Sequence, residues 1–165
     1  MGVWTQRFGL IAVGLVALGA ILAKTGEKSV AHSIEIAAAA DAVWAVLTDT
    51  GAYPEWNPAF WVKEGGFDEG ALVYEFRDVT GASYDIPARV AAMDAPRLLH
   101  QVGGVFGVIT FDHRYTLVPV DAGVRVEASE VYRGAAVHVW DPSAVEETYA
   151  KVNEALKARV ESLAK

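Results

Sequence analysis

Asp41–Phe60 reads DAVWAVLTDTGAYPEWNPAF, a short amphipathic helix that empties into a corner holding two prolines and a run of rings. Val43, Trp44 and Leu47 stand at i, i+1 and i+4 with Val46 beside them, so one stripe is apolar, and Asp41 is placed to cap the start. Gly51 marks the stop. Pro54 and Pro58 fix two φ angles and bias Tyr53 and Asn57 toward extended backbone, which predicts a stiff loop carrying Tyr53, Trp56 and Phe60. Five bulky rings between Trp44 and Trp61 exceed what a surface turn needs.

On the amino-terminal side, Val30–Ala37 alternates Val30, His32, Ile34 and Ile36 against Ala31, Ser33 and Glu35, the period of a half-buried strand. On the other side come six β-rich segments: Trp61–Glu64, Ala71–Val79, Tyr84–Met93, Leu98–Phe106, Thr110–Val120 and Val124–Arg133. Their connections are short and no helical period interrupts them, so antiparallel hairpins are expected rather than parallel crossovers. The chain then turns helical. Ser143 and Glu146 match a capping box after Pro142, and Val145, Tyr149, Val152, Leu156, Val160 and Leu163 recur at spacings of three and four. That stripe has to be buried against the sheet.

The amino terminus is of another kind. Phe8–Ala23, FGLIAVGLVALGAILA, is sixteen residues without a charge, bounded by Arg7 and Lys24. As a helix it covers about 24 Å, slightly short of a ~30 Å hydrocarbon core, and Trp4 at the interface with a snorkelling Arg7 extends the span. Residues 1–24 therefore read as a single-pass membrane anchor contacting lipid through residues 4–23, or as an uncleaved signal segment. Residues 25–29 read as a polar linker and 30–165 as the domain. The basic amino-terminal tail favours an extracytoplasmic domain, although Lys24 and Lys28 nearly balance it.

Composition excludes much. With 14 Lys and Arg against 21 Asp and Glu the net charge is −7, which repels nucleic acid, and without cysteine there is no thiolate chemistry. His32, His100, His113 and His138 show no metal-ligand spacing, so neither a metal nor a cofactor is expected. Gly103, Gly104 and Gly107 lack the Lys-Ser/Thr of a phosphate loop and read as a bulged or closely packed strand.

Four stretches together resemble one family. Val43–Pro58, DHRYTLVP at Asp112–Pro119, EVYRG ending at Gly134 and VNEALKARVES at Val152–Ser162 are similar to the START-like SRPBCC superfamily, in its polyketide cyclase/dehydrase-like branch of small bacterial proteins. The resemblance implies an α+β helix-grip fold, START-like or Bet v 1-like: a curved antiparallel sheet around a long C-terminal helix, here preceded by one transmembrane helix. It also implies a deep apolar cavity that takes lipids, sterols or polyketides, in which some members catalyse cyclisation or dehydration.

Strand alternation then nominates residues for that cavity. Phe111, His113, Tyr115 and Leu117 share one face, and Val124, Val126, Ala128, Glu130 and Tyr132 share another. If Val120–Gly123 is a four-residue loop, His113 lies opposite Glu130, where the two would form a polar anchor or acid–base pair, or a buried pair that only fixes register. A two-residue loop is expected to shift the register and to pair Arg114 with Glu130 outside. The candidate ligand-binding set is Trp56, Asn57, Phe60, Tyr74, Phe76, His113, Tyr115, Glu130, Tyr132 and Tyr149, with His113 and Glu130 as the catalytic candidates. Asn57 has a second reading as a turn cap. Leu98 and His100 share a face that could be core or cavity wall, and Arg89 could pair a carboxylate ligand or lie in solvent.

Three functions fit these features. The first is a membrane-anchored protein that takes a hydrophobic ligand, such as a lipid, quinone or polyketide-like molecule, into an internal cavity. The second is a cyclase or dehydratase using His113 and Glu130. The third is an accessory subunit of a larger membrane protein complex.

Overall fold

Seven stretches of alternating or β-branched sequence become seven strands: β1 Glu27–Ile36, β2 Phe60–Gly66, β3 Ala71–Arg77, β4 Ser83–Asp94, β5 Leu98–Val105, β6 Ile109–Val120 and β7 Gly123–Arg133. The structure, a computed structural model, describes residues 15–78 and 81–164. All the strand pairs are antiparallel, in the order β1-β7-β6-β5-β4-β3-β2, so the first strand closes against the last. Bulges between Val62 and Glu64 and between Val90 and Ala92 add twist and bend, and the curved sheet matches a helix-grip fold.

Helix α1 (Ala40–Thr48) follows β1, a single helical turn α2 (Tyr53–Trp56) precedes β2, and the long α3 (Ser143–Leu163) lies against β1 and α1. Along α3, Thr148, Tyr149, Val152, Asn153, Leu156 and Val160 are buried, the 3.6-residue stripe that the sequence predicts. Leu163 is the exception and stands 63% exposed. The two halves of α3 do different things. Leu156 and Val160 join Ile36, Leu47, Leu117 and Val124 in a solid core, whereas Val145, Thr148 and Tyr149 roof an open space.

Local details depart from expectation where backbone geometry overrides a motif. Ala39, not Asp41, is the N-cap of α1, and Asp41 lies inside the first turn, where its charge still favours the helix dipole. The capping box at Ser143 does not form; instead Asp141 Oδ1 accepts from the Ser143 N–H at 3.0 Å. Tyr53 is helical at φ −52°, ψ −41° against the bias that Pro54 imposes, with its buried hydroxyl donating to Leu47 O at 2.7 Å and its carbonyl accepting from the Asn57 N–H at 2.8 Å, while Asn57 is extended as predicted. β1 opens at Glu27, inside the stretch 25–29 that composition marks as a linker, and Gly26 alone separates it from the preceding helix.

The expected anchor falls partly on residues 1–14, which lie outside the described residues. Residues 15–25 are helical, and Leu15, Val16, Leu18 and Ile21 are exposed. Among the described residues no helix is long and apolar enough to cross a membrane.

Candidate functional site

The β6–β7 hairpin sets the register of the site. Its loop is the two residues Asp121 and Ala122, and yet Pro119 pairs with Val124 and His113 with Glu130, because Val120 and Gly123 pair across the turn. The shorter loop therefore does not shift the strands, and Arg114 pairs with Ser129 instead. Register and pleat together put His113, Tyr115, Glu130 and Tyr132 on the concave face.

That face, α3 and the α1–α2 corner enclose a cavity of ≈ 280 Å³. Trp56, Asn57, Phe60, Tyr74, Phe76, His113, Tyr115, Glu130, Tyr132 and Tyr149 all line it. So do Leu47, Tyr53, Ile86, Gln101, Ile109, Phe111, Trp140, Val145 and Thr148, which the candidate set omits. Its floor is made of buried groups, among them Leu47, Gln101, His113, Tyr115 and Glu130, and its half-buried rim includes Phe76, Ile86, Ile109, Trp140 and Val145. Phe111 reaches the wall because Gly103, its cross-strand partner, has no side chain: a Cβ there would stand 2.5 Å from the ring.

The aromatic corner supplies one wall. Phe60 stacks on Phe76 with centroids 5.1 Å apart and faces Tyr149 at 6.3 Å, and Trp56 meets the buried Tyr53 edge-on at 5.2 Å. Asn57 serves the fold here. Its Oδ1 accepts from the backbone N–H groups of Ala59 (3.0 Å) and Phe60 (2.9 Å), which ties off the corner.

The polar groups converge on Glu130. Its Oε2 accepts from the hydroxyls of both Tyr132 and Tyr149, so the carboxylate is held by phenols and not by His113. Burial nevertheless outweighs these bonds, and the Glu130 carboxyl is pushed up to about 7. His113 stands edge-on to Tyr115 at 4.7 Å and tilted against Tyr149 at 5.1 Å. Burial lowers the imidazole to about 4, so it is neutral at pH 7. Its Nδ1 is buried with no hydrogen-bond partner among the described residues, as is Trp56 Nε1. A second polar pair reaches from β5 to β3, where Gln101 Nε2 donates to the Tyr74 hydroxyl at 2.8 Å.

Gln101 is a polar floor residue that strand alternation does not identify without the pairing of β5. Pairing β5 with β6 puts Gln101 opposite His113, so the inner face of β5 runs through Leu99 and Gln101. Leu98 and His100 lie on the other face, where His100 Nε2 is 3.0 Å from Asp112 Oδ1. Arg89 is exposed and is not a lining residue of this cavity.

A family model described as "Polyketide cyclase / dehydrase and lipid transport" matches residues 27–161. No curated protein matches the chain. Solved structures do. The di-domain ARO/CYC BexL from the BE-7585A biosynthetic pathway superposes with a TM-score of 0.69 at 12% identity, over 96% of this chain and 60% of that one. A START superfamily protein from Mycobacterium smegmatis gives 0.64 at 22%, over 82% of this chain and 98% of the other. The Zhui aromatase/cyclase from a Streptomyces species gives 0.63 at 18%, over 84% and 96%. At these identities the likeness is one of fold.

Proposed function

The chain belongs to the polyketide cyclase/dehydrase and lipid transport family, and on that premise we propose that it binds a hydrophobic molecule with one polar end, tail or ring toward the rim and polar end toward Glu130. One observation carries this reading. The cavity is walled by rings and aliphatic side chains, while Glu130, with the Tyr132 and Tyr149 hydroxyls on its carboxylate, forms one polar cluster in it. Apolar burial at ~25 cal/mol per Å² supplies affinity, and the polar cluster supplies orientation. At ≈ 280 Å³ the space lies at the small end of ligand sites, so the occupant is one or two rings, or the head of a longer lipid whose chain leaves through the rim.

The uncharged run Phe8–Ala23 supports a membrane tether as the setting for this binding, and the basic tail before it favours the outer side for the domain. A tether keeps the cavity beside the phase in which a sparingly soluble ligand resides. Native mass spectrometry of the full chain, extracted from membranes in mild detergent, tests the reading. A bound species of a few hundred daltons is expected, and a chain that is empty in every preparation overturns it.

One observation favours a second reading, acid–base catalysis of cyclisation or dehydration. With Glu130 at about 7 and His113 at about 4, the site holds at neutral pH a carboxyl that can give or take a proton beside a neutral imidazole. Incubating a bound polyketide-like ligand with the protein and with Glu130→Gln separates the two readings. Conversion by the wild type alone supports catalysis, and equal conversion or none by both removes it.

A further inference from the structure

At one end of the sheet, the turn between β5 and β6 leaves Phe106 96% exposed, with Val105 at 59% and Val108 at 51%. Val139, in the segment that leads into α3, is 92% exposed. Such side chains scattered singly would need no explanation, but these are held together. The Ala135 N–H donates to Gly107 O at 3.1 Å and the Ala136 N–H to Val108 O at 2.9 Å, so turn and segment form one platform. The contact is tight: Gly134 has φ +136°, and a Cβ on it would lie 2.3 Å from Val108 O.

The helix of residues 15–25 ends on this platform. His138 Nε2 lies 3.1 Å from Leu22 O and 3.2 Å from Thr25 Oγ1, the Gly134 N–H donates to Gly26 O at 3.0 Å, and Lys28 Nζ donates to Trp140 O. The end of the uncharged run Phe8–Ala23 is thus bonded one residue away from Val139. Ile109 and Trp140, the next residues along from Val108 and Val139, belong to the cavity rim.

We infer that Phe106, its valine neighbours and Val139 insert into the interfacial layer of a lipid bilayer and press the cavity rim against it. The inference rests on the tether reading above and adds to it an orientation: the ligand passes between bilayer and cavity without crossing bulk water. A lipid surface is the occupant because a run long enough to enter a bilayer ends at the same platform, and because the side chains that stand furthest out there, Phe106 and Val139, are apolar, as are the exposed Val105 and Val108. Insertion rather than charge holds it, since a net charge of −7 gains nothing from anionic lipid.

The absence of cysteine from the sequence makes the test clean. The full chain is reconstituted into phosphatidylcholine vesicles with a spin label at Phe106→Cys, Val139→Cys, Val16→Cys or Asp121→Cys, the last at the opposite end of β6. Collision with oxygen and with a water-soluble nickel complex then reads depth. Labels at 106, 139 and 16 are expected to be relaxed more by oxygen, and the label at 121 more by nickel. Labels at 106 and 139 that read as aqueous while 16 reads as buried overturn the inference and leave the tether standing. An aqueous label at 16 overturns both.

Discussion

Strands β6 and β7 present two faces built from similar residue types, a carboxylate and a basic side chain on each strand pair. On the outer face Asp112 lies 3.1 Å from Arg114 and 3.0 Å from His100, and Arg125 lies 2.9 Å from Glu127, all part-exposed. On the inner face Glu130 is 4% exposed and His113 6%. They meet phenols rather than opposite charges, and burial pushes both toward their neutral forms, the Glu130 carboxyl up and the His113 imidazole down. The same groups that make ordinary surface pairs on one side become a poised polar cluster on the other. Solvent is the difference: water screens the outer pairs to within ~0–1 kcal/mol each, while burial leaves the inner groups to choose neutrality.

The largest effect belongs to the apolar inner face. Leu117→Ala, at a position 3% exposed, is expected to cost about 2–5 kcal/mol in urea unfolding, and a loss under 1 would mean that β6 is not packed as described.

The pH dependence sharpens the contrast. A Glu130 carboxyl raised to about 7 stabilises the fold below its unfolded value near 4.5 and loses that stability as pH rises through 7. A His113 imidazole lowered to about 4 from 6.5 does the opposite, losing stability as pH falls from 6.5 through 4. Between 4.5 and 6.5 the two slopes cancel, since one proton is bound in each state. Single variants should therefore uncover opposite slopes of about 3 kcal/mol across the window: stability rising with pH in Glu130→Gln and falling with pH in His113→Gln. Denaturant midpoints measured at half-unit pH steps would show it, and two variants with the same slope would sink the assignment.

Asn57→Ala removes the acceptor of two corner N–H groups and should cost about 1–3 kcal/mol in stability, whereas Asn57→Asp should retain most of it. A larger effect on ligand retention than on melting would give Asn57, which also lines the cavity, a binding role beside its structural one. The smallest effect belongs outside. Arg125→Ala should change stability by under about 1 kcal/mol, and less in high salt, because its partner Glu127 remains solvated.

Much of the architecture was legible in the chain because its carriers are local. Period-two alternation, short connections and the stripe from Val145 to Val160 depend only on backbone geometry and on the need to bury one face, and each became the element expected. The register was less legible: His113 opposite Glu130 was one of two alternatives, and it arises through the two-residue turn that was expected to give the other. Capping was harder to read. Ser143 and Asp41 satisfy sequence patterns, but a shift of one or two residues in where a helix starts moves the cap, so Pro142 and Ala39 hold the N-cap positions and Asp141 Oδ1 accepts from the Ser143 N–H.

By itself, then, the sequence determined the order of strands and helices, the aromatic corner, the uncharged amino-terminal run and the faces on which the cavity residues stand. Only the tertiary structure decided what those residues meet. Tyr149, 19 residues from Glu130 on a helix crossing the sheet, displaces His113 as the partner of the carboxylate. Gln101 joins the floor through strand pairing alone, and His138 holds the end of a helix 113 residues earlier in the chain. The reason is range: alternation and propensity act over a few residues, whereas a hydrogen-bond partner in a buried site is chosen by whichever packed element brings a donor within about 3 Å.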